Sequence, residues 1–388
     1  MIEVLLLALI PAAAWAGWIL ARSTSSRGER KRNRHFSNRY FQGLNYLLDE
    51  QPDKAIAVFI EMAEVTSDTI ETHLALGSLF RRRGEVERAI RVHQNIIAKP
   101  GLDDRQRTRA LLELGEDYMR AGLFDRAENL FNELIELESH APSALRNLLD
   151  IYQQEKDWEK ALQQAQKLEA VTDEKMGLTM AHFCCEMAEI DLKANKPAAA
   201  RKHLRQARRY FPESIRARFI LARIARQQNM FSEALDVYEE IAGMDMEYIH
   251  EVLQPYLECA QAAEEFPRAL AQMGSWAENY DGVSLLLSQT AVTREEQGIE
   301  AATRYLADAL TRRPSVKGLD RLIELKLEGG PETESGDEIL RAVAQKLLAR
   351  QPSYRCTHCG YAGHSHHWQC PSCKNWSTTR VIRGVLGE

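Results

Sequence analysis

Apolar and polar residues alternate along this chain in two different ways. From Val4 to Ala21 the sequence VLLLALIPAAAWAGWILA carries no charge at all. As a helix, 18 such residues span about 27 Å, which is enough to cross a hydrocarbon layer. Pro11 lies within the run, where lipid-buried helices tolerate it, and Trp15 and Trp18 stand near its far end, where indole rings favour the headgroup region. Beyond residue 35 the pattern changes to amphipathic helical periodicity with a long-range recurrence. A small or apolar residue followed three positions later by a large one occurs at Gly43/Tyr46, Gly77/Phe80, Gly115/Tyr118 and Leu149/Tyr152. An alanine follows twelve residues after each first member, at Ala55, Ala89, Ala127 and Ala161. The series continues through Ala188/Ala200, Ala222/Ala234, Leu257/Ala269 and Thr290/Ala302, with successive spacings of 34, 38, 34, 39, 34, 35 and 33.

A 34-residue recurrence is the tetratricopeptide period, with short insertions expected in two loops. Small residues are needed where the two helices of a hairpin cross closely, and a large residue fills the space beside them. Phe59, Phe131 and Tyr238 stand four positions beyond their alanines, and Pro212 and Pro314 punctuate repeat ends. One hairpin cannot bury its own apolar face, so the units must stack into a superhelix with an inner groove. The expected fold is therefore all-α: about eight to nine helix hairpins, preceded by a transmembrane helix and followed by a small metal-binding module. The expected boundaries are residues 1–21 for the anchor, 22–35 for a basic juxtamembrane segment, 36–315 for the repeats, 316–351 for a degenerate helical extension and 352–388 for the terminal module. Within the extension, Glu328–Asp337 reads as an acidic loop and Ile339–Leu348 as an amphipathic helix ending before Pro352.

Charge sharpens the reading of the N-terminus. Arg22, Arg27, Arg30, Lys31, Arg32, Arg34 and Arg39 face only Glu29, whereas the apolar run is preceded by Glu3 alone. A cleaved signal peptide wants its positive charge in front; here it follows, which orients an uncleaved anchor with the bulk of the chain in the cytoplasm. The flank also suits anionic lipid headgroups. The whole 388-residue chain carries a net charge of -6, which argues against a nucleic-acid binder. Arg380 and Arg383 beside aromatic residues would be the handle for one, and two arginines make too small a footprint.

The chemistry concentrates at the C-terminus. Four of seven cysteines fall there, as Cys356-x2-Cys359 and Cys370-x2-Cys373 separated by ten residues. Each pair forms a tight turn that aims two thiolates at one ion, with Gly360 supplying a positive φ and Pro371 stiffening the other turn. These are rubredoxin-type knuckles, but Lys374 stands where a second glycine is expected. One metal ion in a four-thiolate site is expected, with zinc favoured over iron. His358, His364, His366 and His367 are read as surface or supporting groups, and Tyr354, Tyr361, Trp368 and Trp376 as residues that pack on the repeats. Cys184, Cys185 and Cys259 fall on repeat helices and read as core, and His182 and His203 as ordinary hydrogen-bonded histidines. Arg81-Arg82-Arg83 reads as a charge run at a helix end. Candidate partner-binding residues on the inner face are Arg81, Glu116, Met119, Arg146, Asn147, Asp150 and Gln153, although a solvated helix face accounts for any one of them. No phosphate loop, dinucleotide glycine motif or HExxH occurs, so no enzyme class is indicated.

The combination of anchor, repeats and knuckle pair, together with LGSLFRRRGEVERAIRVHQ (Leu76–Gln94), YMRAGLFDRAENLFN (Tyr118–Asn132) and YRCTHCGY with WQCPSCKNWST (Tyr354–Thr378), resembles the lipopolysaccharide assembly protein B family of Gram-negative bacteria over the whole chain. The resemblance implies a non-enzymatic inner-membrane adaptor. It would act with the membrane-anchored AAA+ protease FtsH to promote destruction of the deacetylase that commits carbon to lipid A, and answer to an inner-membrane lipopolysaccharide sensor. Two alternatives stay open: an envelope-assembly scaffold without a proteolytic role, and a rubredoxin-like electron carrier.

Overall fold

A computed structural model describes residues 70–328 and 335–388, with a few positions before them (41–43, 45, 46, 51, 54, 55 and 58). The expected anchor, its basic flank and most of the expected acidic loop lie outside the described residues. Among those described, no helix is long and apolar enough to cross a membrane.

Helices follow one another as antiparallel hairpins: α1 (Ile70–Arg82), α2 (Val86–Ile97), α3 (Asp104–Arg120), α4 (Phe124–Glu136), α5 (Ala141–Glu155), α6 (Trp158–Val171), α7 (Gly177–Lys193), α8 (Pro197–Tyr210), α9 (Ile215–Gln227), α10 (Phe231–Met244), α11 (Ile249–Ala262), α12 (Phe266–Asn279), α13 (Val283–Gln297), α14 (Ile299–Arg312), α15 (Val316–Glu328) and α16 (Ser335–Arg350). The chain divides into two compact units, Met1–Asp157 and Trp158–Glu388.

The small-and-large rule of the repeat is visible in the first unit. A Cβ at Gly77 would lie 2.3 Å from the His93 ring, and one at Gly115 would lie 2.6 Å from the Phe131 ring. Only glycine lets α1 and α3 approach their partner helices so closely. The marker alanines Ala89, Ala127, Ala161, Ala200, Ala234, Ala269 and Ala302 are all fully buried. The two long spacings are not only loop insertions, as the sequence suggested. Helices α3 and α7, which follow them, are each 17 residues long where other first helices have 13 to 15. Part of the extra length is helix, and α3 is started by a capping box between Asp103 and Gln106.

In the second unit a continuous core runs from Ala222 to Leu285, with Tyr256 and Trp276 at its centre and Trp368 of the terminal module packed against it. The segment after the eighth hairpin forms a further antiparallel pair, α15 and α16, and α16 begins at Ser335, earlier than the sequence pattern indicated. The module itself is a three-stranded antiparallel sheet of order β2-β1-β3, with β1 Tyr354–Cys356, β2 Ala362–Gly363 and β3 Thr379–Val381.

Candidate metal centre and the repeat faces

Each knuckle is a backbone turn that closes on its own first cysteine. Gly360 N–H donates to Cys356 C=O at 3.0 Å, and Lys374 N–H donates to Cys370 C=O at 2.9 Å. The two turns are equivalent: Gly360 has φ +78° and Lys374 has φ +59°. Lys374 therefore adopts the left-handed conformation that the missing glycine would have taken, at a cost of order 1 kcal/mol.

These turns bring Cys356, Cys359, Cys370 and Cys373 together, with all four Sγ atoms within 4.8 Å of one another. Cys356 and Cys373 are 3.8 Å apart and Cys359 and Cys370 3.7 Å, so none of them is joined in a disulfide. Metal–sulfur bonds of about 2.3 Å in a tetrahedron require sulfur–sulfur edges of about 3.8 Å. The sulfurs thus stand where four ligands of one ion would stand. Hydrogen bonding to Thr378 and to the Cys359 and His358 backbone N–H groups draws the Cys356 thiol down to about 6. Asn375 N–H favours the Cys373 thiolate, but burial and the three neighbouring sulfurs push it up to about 11. Four thiolates this close repel one another, and a cation relieves that repulsion. The chain carries a four-thiolate metal site.

The aromatic residues around the site fix the module to three successive first helices of the second unit. Trp376 stacks on His182 of α7 (centroids 4.6 Å apart, 16° between planes) and meets Trp158 and Phe183 edge-on. Trp368 stacks on Tyr248 and approaches Phe219 of α9. Tyr354 donates its hydroxyl hydrogen to Glu251 of α11, and His250 Nε2 lies 3.3 Å from the same hydroxyl. Tyr361 is the exception among the four expected packing residues, since its ring lies over Gly363 inside the module.

Polar groups complete the contact. The Ser377 hydroxyl lies 2.8 Å from His182 Nε2, and Arg380 donates to Asp245 at 2.9 Å while covering the Tyr248 ring. Arg383 reaches Asp281 at 3.6 Å and covers Tyr280. The two arginines weighed as a nucleic-acid handle are therefore engaged within the chain. Burial pushes His182 down to about 3 and His366 down to about 4, so both are neutral at pH 7. The hydrogen bond from His250, against burial and with help from Tyr354, holds the Glu251 carboxyl at about 2. His366, expected at the surface or beside the metal, is instead wedged edge-on against Trp368 at 4.6 Å, while His358 and His364 are exposed.

Glu388 was invisible to sequence reasoning. Its carboxylate accepts from Tyr280 hydroxyl (2.9 Å), Ser284 N–H (2.9 Å) and Ser284 hydroxyl (2.6 Å). It thereby caps α13 from 104 residues away, a helix whose own N-cap, Gly282, has no side chain to do so. No local motif signals a cap supplied across such a separation.

The seven partner-face candidates lie in the first unit and divide into two groups. Arg81 donates to Glu113, Glu116 and Asp117, each at 2.7 Å, and so joins α1 to α3. It is an ion-pair hub, not the solvated helix-end charge suggested by the sequence. Behind it His93, fully buried, holds Asp117 at 2.5 Å through Nδ1. Burial opposes ionisation of Glu113, yet hydrogen bonds from Ser78 and Arg81 keep its carboxyl below the ordinary range, whereas burial raises Glu116. Arg146 and Asp150 on α5 are exposed, and Met119, Asn147 and Gln153 are half-buried. Cys184, Cys185 and Cys259 are core residues, and burial pushes the first two thiols up to about 12. His203 lies 3.5 Å from Asp191.

Comparison with known proteins agrees with this architecture. Tetratricopeptide-repeat profiles match residues 72–106, 112–174 and 185–248, and a profile described as a rubredoxin metal binding domain matches 354–380. Among solved structures, a tetratricopeptide repeat protein from Parabacteroides merdae aligns with 80% of this chain and 99% of its own, at 13% identity and a TM-score of 0.30, too loose a likeness to carry any argument. Lipopolysaccharide assembly protein B of Haemophilus influenzae is 32% identical over 98% of both chains. Lipopolysaccharide assembly protein B of Escherichia coli K12 is 33% identical over the full length of both. With repeats, metal module and full-length similarity all in agreement, the chain belongs to the lipopolysaccharide assembly protein B family.

Proposed function

We propose that this protein is an adaptor in the regulation of lipopolysaccharide assembly that binds protein partners through its repeats and performs no chemistry of its own. One observation carries the reading: within the second unit the metal module covers inner residues of α7, α9 and α11, and within the first unit α5 presents Arg146 and Asp150 exposed. Helix hairpins of this kind bind segments of other proteins along such faces. The metal then serves folding. Zinc held by Cys356, Cys359, Cys370 and Cys373 in a closed site would order a module too small to be stable by burial alone.

In this reading residues 1–21 anchor the chain in the inner membrane with its bulk in the cytoplasm, and the basic segment 22–35 lies against anionic headgroups. Partners confined to the same membrane then meet it at raised effective concentration. By family likeness those partners are FtsH, the lipid A deacetylase whose degradation FtsH carries out, and a lipopolysaccharide sensor.

The test is the half-life of the deacetylase in cells carrying Cys356→Ser with Cys359→Ser, or lacking residues 1–21. Both variants are expected to lengthen it, and the second to yield folded but soluble protein. An unchanged half-life together with failure of FtsH to co-purify would leave only a scaffold role. A visible absorption spectrum of the isolated protein tests the electron-carrier alternative, since iron thiolate is coloured and zinc thiolate is not.

A further inference from the structure

Between the terminal module and the inner face of the second unit lies an open cleft of about 550 Å³. Helix α9 contributes Arg216, Phe219, Ile220, Arg223 and Arg226, which follow one another at helical spacing along one face. The module contributes Tyr354, His366 and Trp368. Arg216 is the most deeply placed of the three arginines: its side chain is 7% exposed, against 46% for Arg223 and 34% for Arg226. Its Nη2 donates to Glu186 at 2.7 Å. Its Nε and Nη1 are buried and, among the described residues, meet no acceptor. His366 lines the same cleft, and its buried Nε2 has no partner there either.

A guanidinium keeps its charge, so its idle N–H groups cannot be silenced by losing a proton. Buried donors are ordinarily satisfied, and two open ones on a single arginine mark a missing acceptor. Arg216 is held where it stands by Glu186 and by the Trp376 ring, whose centroid lies 5.7 Å from its Cζ. The acids that line the cleft are already engaged. Glu189 takes Arg223 at 2.5 Å, and Glu251 takes the Tyr354 hydroxyl and lies 3.6 Å from His250 Nε2. Three arginines against two carboxylates leave the lining positive. A single water occupies about 30 Å³ and carries no charge, so it accounts for neither the volume nor the excess of cations. An oxygen anion supplies several acceptors and the missing charge together. We propose that this cleft binds a small organic anion, its phosphate or carboxylate head held by Arg216 with Arg223 and Arg226, and its compact apolar body set against Phe219, Ile220 and Trp368. The metal module is then one wall of a ligand site, and an occupied cleft holds it more firmly on the repeats.

Titration calorimetry of the full chain in detergent, with its metal bound, tests this with phenyl phosphate and benzoate. At least one of the two should bind saturably, and the tighter of them tells a phosphate site from a carboxylate site. Inorganic phosphate, a head without a body, should bind more weakly, and benzyl alcohol, a body without a head, not at all. Arg216→Gln should weaken binding about tenfold. Arg216 also touches Trp376, so Arg223→Gln and Arg226→Gln give a second reading away from the module's seat. Each should weaken binding with metal content and helix content unchanged. A saturating anion should also slow proteolytic release of the module. No saturable binding of either anion, benzyl alcohol binding as tightly as benzoate, or an affinity indifferent to all three substitutions would overturn the proposal and leave the cleft to water.

Discussion

The inner faces of the two units use the same repeat for different ends. In the second unit, first helices α7, α9 and α11 and the turn before α11 turn aromatic rings inward: His182, Phe183, Phe219, Tyr248 and His250 receive Trp376, Trp368 and Tyr354 of the chain's own terminal module. In the first unit the corresponding positions are ionic, with Arg81 drawing Glu113, Glu116 and Asp117 together and Arg146 and Asp150 exposed. Aromatic surface is stabilised by being covered, whereas charged surface is stable when paired or left in water. A tetratricopeptide hairpin fixes the spacing of its inner side chains and leaves their chemistry open. One chain can therefore carry an aromatic stretch covered by its own terminal module and an ionic stretch that clamps one hairpin to the next.

The largest expected effect comes from destroying the ligand that the second unit holds. Cys356→Ser with Cys359→Ser should remove the metal and unfold residues 354–380, since structural zinc contributes on the order of 10 kcal/mol to such modules. Elemental analysis and limited proteolysis should show loss of metal and a clipped C-terminus, with the hairpins still helical. Retained metal would place its ligands elsewhere.

Trp376→Ala separates docking from metal binding. It removes the ring between His182 and Trp158, at a cost of about 3–5 kcal/mol, and should leave the metal bound but the module proteolytically released. If release does not increase, the aromatic seat is not what holds the module.

Acid should weaken the same seat. His182 and His366 have docked pKa values depressed to about 3 and about 4 from an ordinary 6.5. A depressed histidine contributes docking stability that is fully present above pH 6.5 and lost as pH falls toward the docked value. At pH 5 the loss is about 2 kcal/mol for each histidine. Tryptophan fluorescence should report release between pH 6.5 and 4, and His182→Phe should flatten that dependence; an equally steep profile in the variant would exclude His182 as a cause.

Gly115→Ala acts on the first unit alone. Its Cβ would fall 2.6 Å from Phe131, so α3 and α4 must separate, with about 1–3 kcal/mol lost in thermal unfolding. The smallest effect on stability, within about 0.5 kcal/mol, is expected from Arg146→Glu with Asp150→Lys. Pull-down of partners should nevertheless fall, and undiminished capture would move the partner surface off α5.

Much of this was legible in the chain because it depends on local periodicity. Gly77, Gly115 and the marker alanines announce close helix crossings, and two C-x2-C turns announce a thiolate cluster, since both constraints act within one hairpin or one turn. What the sequence misjudged depends on residues far apart. His182 is hydrogen-bonded, as its sequence reading has it, but its partner is Ser377 of the distant module, and it also stacks on Trp376, 194 positions later. His366 read as a surface or supporting group and is a wedge in the docking surface. Arg81 looked like a helix-end charge and is a clamp on the next hairpin.

The sequence by itself determined that this chain stacks helix hairpins and gathers four sulfurs, because period, small-residue placement and knuckle spacing are properties of neighbouring residues. Only the tertiary structure decided which helices the thiolate module seats on, that Glu388 caps a distant helix, and that α16 keeps an apolar stripe open. Burial of one surface by another depends on which pieces meet in space, and no spacing along the chain encodes that meeting.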